Sequence, residues 1–336
     1  MMRSRRVPRL AGAALLALLS APAGAQTLVK LATLVPESSV WDKALQGMGA
    51  EWRAATAGRV ELRVYPNGVA GDEAEVVRKM RIGQLQAATL SIGGLEDIDE
   101  AFGVFGVPFV FDSYPELYAA LAALEGELAA RLEAKGFVLL HWGHGGWVHL
   151  FSKQPIRTID DLKAQKLWVW AGDDARVQLW RRSGFQPVPL ASTDILTGLQ
   201  TGMIGVVPNP PLIALAFQWF RQLPNMLDLG LAPLAGGTVI TRAAWERISP
   251  ADREALRAAA RRTQEALERE VPAQDAEAVE QMRQRGLTVT SPADPAEWRR
   301  AGDSFVREVQ GNFPAEVFAR LLAARDAWRA QQRAAP

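Results

Sequence analysis

The chain contains no cysteine. Disulfides, thiol catalysis, zinc–thiolate sites and a lipid anchor on an N-terminal cysteine are therefore excluded. Histidine is scarce as well: His141, His144 and His149 are the only three, all within nine residues. No stretch of about 18 apolar residues follows the N-terminal region, so no membrane helix is expected there. No serine sits in a G-x-S-x-G elbow, no G-x-x-x-x-G-K-[ST] phosphate loop occurs, and no G-x-G-x-x-G follows a strand. The usual signatures of hydrolases, nucleotide-phosphate enzymes and dinucleotide enzymes are thus missing, and no cofactor is expected.

The N-terminus has its own pattern. Arg3, Arg5, Arg6 and Arg9 precede an apolar run from Leu10 to Leu19, and small residues stand at Ala23 and Ala25. This reads as a secretory signal over residues 1–25, cleaved before Gln26, and places the mature protein in the periplasm. Removing four arginines from 38 basic residues leaves 34 against 37 acidic ones, a net charge of −3. Such a balance gives no electrostatic reason to bind nucleic acid. The roughly 311 residues that remain exceed the 250–300 or so that one core usually serves, so two lobes are expected.

Strand and helix patterns alternate along the first part of the chain. Leu28 to Leu34 is a short apolar strand, the turn Pro36-Glu37-Ser38-Ser39 caps a helix from Val40 to Thr56, and Val60 to Tyr65 alternates as a half-buried strand. Glu73 to Ile82 returns as a helix, and Ala87 to Ile92 is a third strand ending in Gly93-Gly94, where backbone can approach a ligand closely. Three such repeats predict a mainly parallel sheet. Phe102 to Phe111 reads as an aromatic hinge-like loop, Tyr114 to Lys135 as a helix, and Phe137 to Trp142 as a strand entering the second lobe. Leu167 to Trp170 is a buried strand, Met203 to Val207 the next, and Thr238 to Thr241 a short strand returning to the first lobe. Pro250 to Gln284 is a long charged helix that suits a strut across both lobes, and helix resumes from Pro295 to about Gln332.

The three histidines invite a metal-site reading. In an extended strand His141 and His149 share a face, whereas His144 follows a glycine turn and no nearby acid completes a ligand set. Filling or flanking a lobe crossing is the better account. Asp173-Asp174 is an acid pair, but two carboxylates opening a helix are commonly dipole-favoured capping residues. Eleven tryptophans against three tyrosines is an uneven aromatic balance. Trp41, Trp142, Trp147, Trp168, Trp170 and Trp219 fall at strand ends or strand-to-helix corners, where open α/β lobes hold their ligands.

Several linked motifs resemble the solute-binding subunits of tripartite ATP-independent periplasmic (TRAP) transporters, the DctP-like family. They are Ala32-Thr33-Leu34-Val35-Pro36 with Trp41, Val64-Tyr65-Pro66-Asn67-Gly68, Gly71-Asp72-Glu73, Val107-Pro108-Phe109-Val110-Phe111, the stretch Pro155 to Trp170, Leu199-Gln200-Thr201-Gly202 and Asn209-Pro210. The resemblance implies a two-lobed α/β fold of the type II periplasmic binding protein kind, with mainly parallel sheets and a long helix spanning both lobes. Residues 26–146 with about 234–280 would form the first lobe, and 147–233 with about 281–330 the second. The implied role is capture of a small organic solute and its delivery to a sodium-driven membrane permease, without catalysis. A periplasmic sensor or partner-protein scaffold on the same fold is the alternative.

One departure from the family matters most. The ligand-binding strand of the family usually carries an arginine whose planar guanidinium pairs with a carboxylate. Here that strand reads Lys166-Leu167-Trp168-Val169, and the segment Gly146-Trp147-Val148 lacks a second basic residue. KLWVW and GGWV resemble a divergent branch without the arginine, some members of which are associated with a periplasmic tetratricopeptide-repeat partner and hydrophobic ligands. The expected ligand residues are Trp168, Trp170, Trp147 and Trp41 as apolar walls, Trp219 and Pro36 beside them, and Asn209 with backbone near Gly93 at a polar end. For Asn209, capping of the following helix stands as the other reading.

Overall fold

The computed structural model describes residues 26–172 and 174–334, with the backbone alone at 174–176. The expected leader and Asp173 with the side chain of Asp174 lie outside the described residues. The strands are β1 (Thr27–Thr33), β2 (Val60–Tyr65), β3 (Ala87–Ser91), β4 (Phe137–Trp147), β5 (His149–Ser152), β6 (Lys166–Trp170), β7 (Gln186–Leu190), β8 (Val206–Asn209), β9 (Asn225–Leu227), β10 (Pro233–Thr241) and β11 (Thr288–Thr290). Five make one sheet in the order β2-β1-β3-β10-β4, and six make a second in the order β11-β9-β5-β8-β6-β7.

Each sheet is parallel except for one strand. β10 runs against β3 and β4, and β5 runs against β8 and β9; the remaining pairings are parallel. The chain path explains this. β4 ends where the first sheet meets the second, a single residue, Val148, separates it from β5, and β10 comes back the same way. The two crossings pair with each other: Val148 N–H donates to Ala232 O at 2.8 Å and Leu231 N–H to Val148 O at 2.9 Å. As a result the carboxyl ends of β1, β3 and β4 face those of β6 and β8 across one cleft, the place where open α/β sheets present ligand sites.

Local chemistry accounts for the helices that frame this cleft. Ser39 caps the helix Val40–Ala55, accepting from Asp42 N–H as the turn predicts. Ser249 caps the helix Pro250–Arg283, which starts with proline in its first turn and continues through Pro272. That helix packs on Val40–Ala55 and on β4, then on the short helix Pro211–Ala216, and buries Met282 in the second lobe's core before β11. It spans both lobes.

Three expectations change on contact with the structure. Phe102 to Phe111 is not a hinge: Glu100–Gly106 is a 3-10 helix, Phe102 and Phe105 are fully buried, and both rings pack on Trp142. β4 extends to Trp147, because Gly143, His144 and Trp147 pair with β10 across a register shift at Gly145 and Gly146, and the start of β10 itself moves back to Pro233. The segment 281–330 divides between the lobes. β11 joins the second sheet and Trp298 the second lobe's core, whereas the helix Ala315–Ala334 packs on Tyr114–Ala134 of the first lobe through Val317, Phe318 and Leu321.

Candidate functional site

A cleft of about 370 Å³ opens between the lobes, within the size range of small-molecule sites. His141, Gly143, His144 and Gly145 of β4 line it; His141 and Gly143 keep the two-residue period of a strand, and the shift in pairing with β10 beyond His144 breaks it. Gly143 leaves this floor bare, whereas beside Gly145 Leu234 Cδ2 and Ile213 Cδ1 stand 2.8 and 3.2 Å from where a methyl would lie. A methyl added at Gly143 would have Leu267 Cδ1, at 4.0 Å, as its nearest neighbour. Trp41, Leu45, Leu267 and Ile213 rise beside the floor. Opposite them the second lobe contributes Trp168, Trp170, Ile195, Leu196, Phe217 and Trp219.

The tryptophans are held by their polar edges. Trp41 Nε1 donates to His144 O at 2.9 Å, and Trp168 Nε1 donates to Leu190 O at 3.1 Å. Trp168 and Trp170, two apart on β6, meet edge to face with centroids 4.9 Å apart, while Phe217 stacks on Trp219 at 5.1 Å. With their N–H groups committed to backbone, Trp41 and Trp168 offer the cleft only ring surface.

Six of the eight residues expected at the site line this cleft: Pro36, Trp41, Trp168, Trp170, Asn209 and Trp219. Trp147 does not. Its ring packs edge-on against Tyr114 at 5.3 Å and covers Gly230, and its backbone N–H donates to Asp275. Asp275 also accepts from Leu212 N–H, and its burial raises its pKa to about 6. Trp147 therefore packs at the lobe crossing. Gly93 borders a second cavity, on the side of Trp170 toward Phe109 and Phe305. Asn209 does not cap the following helix, whose N-cap is Pro210 with no side-chain bond; the buried Asn209 Oδ1 has no hydrogen-bond partner among the described residues.

The histidines separate. His141 Nδ1 bonds Trp142 O at 2.8 Å, His144 Nε2 bonds the Tyr118 hydroxyl at 2.8 Å, and His149 Nδ1 bonds Leu227 O at 3.1 Å. His141 and His149 belong to different sheets, so the shared face expected of one strand is not formed. No group of three potential metal ligands occurs among the described residues. Desolvation lowers the pKa of both His141 and His144 to about 4, which keeps both rings neutral at pH 7.

Among the described residues Glu73 is the one Asp, Glu, Lys or Arg on the cleft wall, and it was read in the sequence only as part of a helix start. It accepts from Ser91 N–H at 2.6 Å, Ser91 Oγ–H at 2.5 Å and Gly94 N–H at 3.0 Å. Complete burial nevertheless outweighs these bonds and pushes its carboxyl up to about 7. Its neighbour Asp72 reaches across the cleft, where Oδ2 accepts from Ser192 N–H at 3.1 Å and Oδ1 from Ser192 Oγ–H at 2.7 Å. No sequence signal pairs residues 120 positions apart, whereas Gly71-Asp72-Glu73 was visible as a helix start, which Asp72 caps in the structure.

Among the described residues no lysine or arginine lines the cleft. Its walls can surround an uncharged apolar body, and its polar groups are a carboxyl, two neutral imidazoles, the amides of Asn67 and Asn209, and hydroxyls. Nothing in it matches the bidentate geometry of a carboxylate.

Residues 31–312 match the family profile DctP, described as bacterial extracellular solute-binding protein, family 7. A solute-binding protein of Chromohalobacter salexigens is 31% identical over 229 residues, covering 67% of each chain. Among solved structures, a TRAP periplasmic solute-binding protein of the same organism with bound D-glucuronate superposes with a TM-score of 0.80 at 24% identity, covering 88% of this chain and 99% of that one. Another from a Polaromonas species, bound to D-erythronate, reaches 0.82 at 22% identity over 89% and 99%. The chain belongs to family 7 of the bacterial extracellular solute-binding proteins, a family of binding proteins and not of enzymes.

Proposed function

We propose that this chain is the periplasmic receptor of a TRAP-type transporter, that its leader is cleaved near Ala25, and that it delivers to the membrane permease a solute with a largely apolar body and no carboxylate. The observation that carries this reading is the composition of the interlobe cleft: Trp41, Trp168, Trp170 and Trp219 with no arginine or lysine. A sugar acid such as those held by the solved relatives would leave its carboxylate buried and unpaired here, a cost of several kcal/mol. An apolar body gains about 25 cal/mol for each Å² it removes from water. Closure is supported by Asp72 and Ser192, which join the two lobes at the rim.

Native mass spectrometry of the protein purified from its own cells tests this directly. A retained neutral or amphipathic solute, lost on Trp168→Ala, is the expected result. Tight binding of C4-dicarboxylates or uronates, insensitive to changes in the cleft tryptophans, would overturn the reading. The likeness of KLWVW and GGWV to the arginine-lacking branch supports a periplasmic tetratricopeptide-repeat partner, and co-purification of such a protein is the corresponding check.

A further inference from the structure

The cleft contains a buried hydrogen-bond acceptor that the protein does not use. His141 is 4% exposed, lines the cleft from β4, and its Nε2 has no partner among the described residues. Its tautomer follows from the other nitrogen. Nδ1 lies 2.8 Å from Trp142 O, and a carbonyl only accepts, so Nδ1 carries the proton and Nε2 presents a lone pair. Burial keeps the ring from taking a second proton at neutral pH. A buried acceptor left without a donor is destabilising, and unpaired polar atoms of this kind are uncommon in folded proteins.

The surroundings of this nitrogen point to a solute. The next residue on the same face is Gly143, which leaves space beside the ring, with Leu267 Cδ1 at 4.0 Å the nearest atom to a methyl placed there, and the sides are Trp41, Leu45 and Leu267. The nearby donors are committed elsewhere: Trp41 Nε1 to His144 O, Ser91 Oγ–H to Glu73, and Trp168 Nε1 to Leu190 O. Two more unpartnered polar atoms belong to residues on the cleft wall: Asn209 Oδ1, again an acceptor, and His144 Nδ1.

We infer that His141 Nε2 is the specificity-determining acceptor of this cleft, and that the solute is an amphiphile whose polar end donates a hydrogen bond, such as an alcohol. This deepens the apolar-solute reading above and rests on it. The imidazole rejects two classes of molecule by different means: a carboxylate meets lone pair against lone pair, and an ether or hydrocarbon of the same size leaves Nε2 unpaired. A site built around one hydrogen bond discriminates against the analogue that lacks it.

The test compares 1-octanol, 1-methoxyheptane and octanoate by isothermal calorimetry on the mature protein. The alcohol and the ether have the same number of heavy atoms and differ in the donor. The wild type should bind 1-octanol about tenfold more tightly than 1-methoxyheptane and octanoate more weakly still. In His141→Phe the alcohol and the ether should bind alike. A measurement independent of that variant is the imidazole ¹⁵N spectrum of the wild type, in which the His141 Nε2 resonance should move with 1-octanol and stay in place with 1-methoxyheptane. Equal affinity for the alcohol and ether in the wild type, or a preference that survives His141→Phe, would overturn the assignment to His141 while leaving the apolar cleft standing. Binding of none of the three would overturn the apolar-cleft reading itself.

Discussion

The two walls of the cleft are built from different materials. Beside Trp41, Leu45 and Leu267 the first lobe sets bare strand at Gly143 and polar groups, His141 and Glu73 with Ser91; it is this bare and polar part of its wall that differs from the second lobe's. The second supplies aromatic and aliphatic bulk, with Trp168, Ile195 and Trp219 belonging at once to the cleft and to the lobe's hydrophobic core. The difference has a consequence for mutation. On the second lobe's wall, stability and solute affinity should change together, because one side chain serves both. On the first lobe's wall they should separate.

The largest effect is expected at Trp168. Trp168→Ala removes a ring that is 5% exposed together with its bond to Leu190 O, and should cost about 3–5 kcal/mol of stability in denaturant unfolding as well as weakening the solute. Next comes Glu73. Its folded pKa of about 7 lies above the ordinary 4.5, so its contribution to stability is fully present below pH 4.5 and is lost as pH rises through about 7. Across that window the wild type should lose roughly 2–3 kcal/mol relative to Glu73→Gln, read from unfolding curves at pH 4.5 and 8. The same series in a second-lobe variant such as Ile195→Val should show no pH-dependent difference.

A smaller effect is expected where the walls meet. Asp72→Ala removes both bonds to Ser192 and should speed release of 1-octanol about five- to tenfold in stopped-flow fluorescence, with little change in association. The smallest effect on stability belongs to Gly143→Ala. It should weaken solute binding several-fold while leaving unfolding unchanged or favoured by about 0.5–1 kcal/mol. If this variant were destabilised as strongly as Trp168→Ala, the contrast between the walls would fail.

The same contrast explains what the sequence disclosed. The second lobe's wall was legible because tryptophans at strand ends are conspicuous and the Lys166–Trp170 strand has a clear pattern. The frame was legible too, since the turn ending at Ser39 and the proline at position 250 mark helix starts, which Ser39 and Ser249 cap in the structure. The first lobe's wall was hidden. The glycine before His144 read as a turn, although Gly143 pairs with Gly236 of β10 and stays in a strand, and the same shortfall put Trp147 on a wall when it packs at the crossing. Glu73 at a helix start looks like a dipole-favoured residue until Ser91 and Gly94 come to it from another strand end. His141 stood out only as a possible metal ligand, because the orphaned nitrogen appears once Trp142 O has claimed the other one.

The claim on which the account turns is that the cleft has exchanged carboxylate pairing for apolar enclosure. Calorimetric titration of the mature protein at pH 7.5 with 1-octanol and with D-glucuronate tests it most directly. The account predicts binding of 1-octanol and no detectable heat from D-glucuronate, because both cleft histidines stay neutral down to about pH 4 and no other cation lines the walls. Tight binding of D-glucuronate with none of 1-octanol would contradict it.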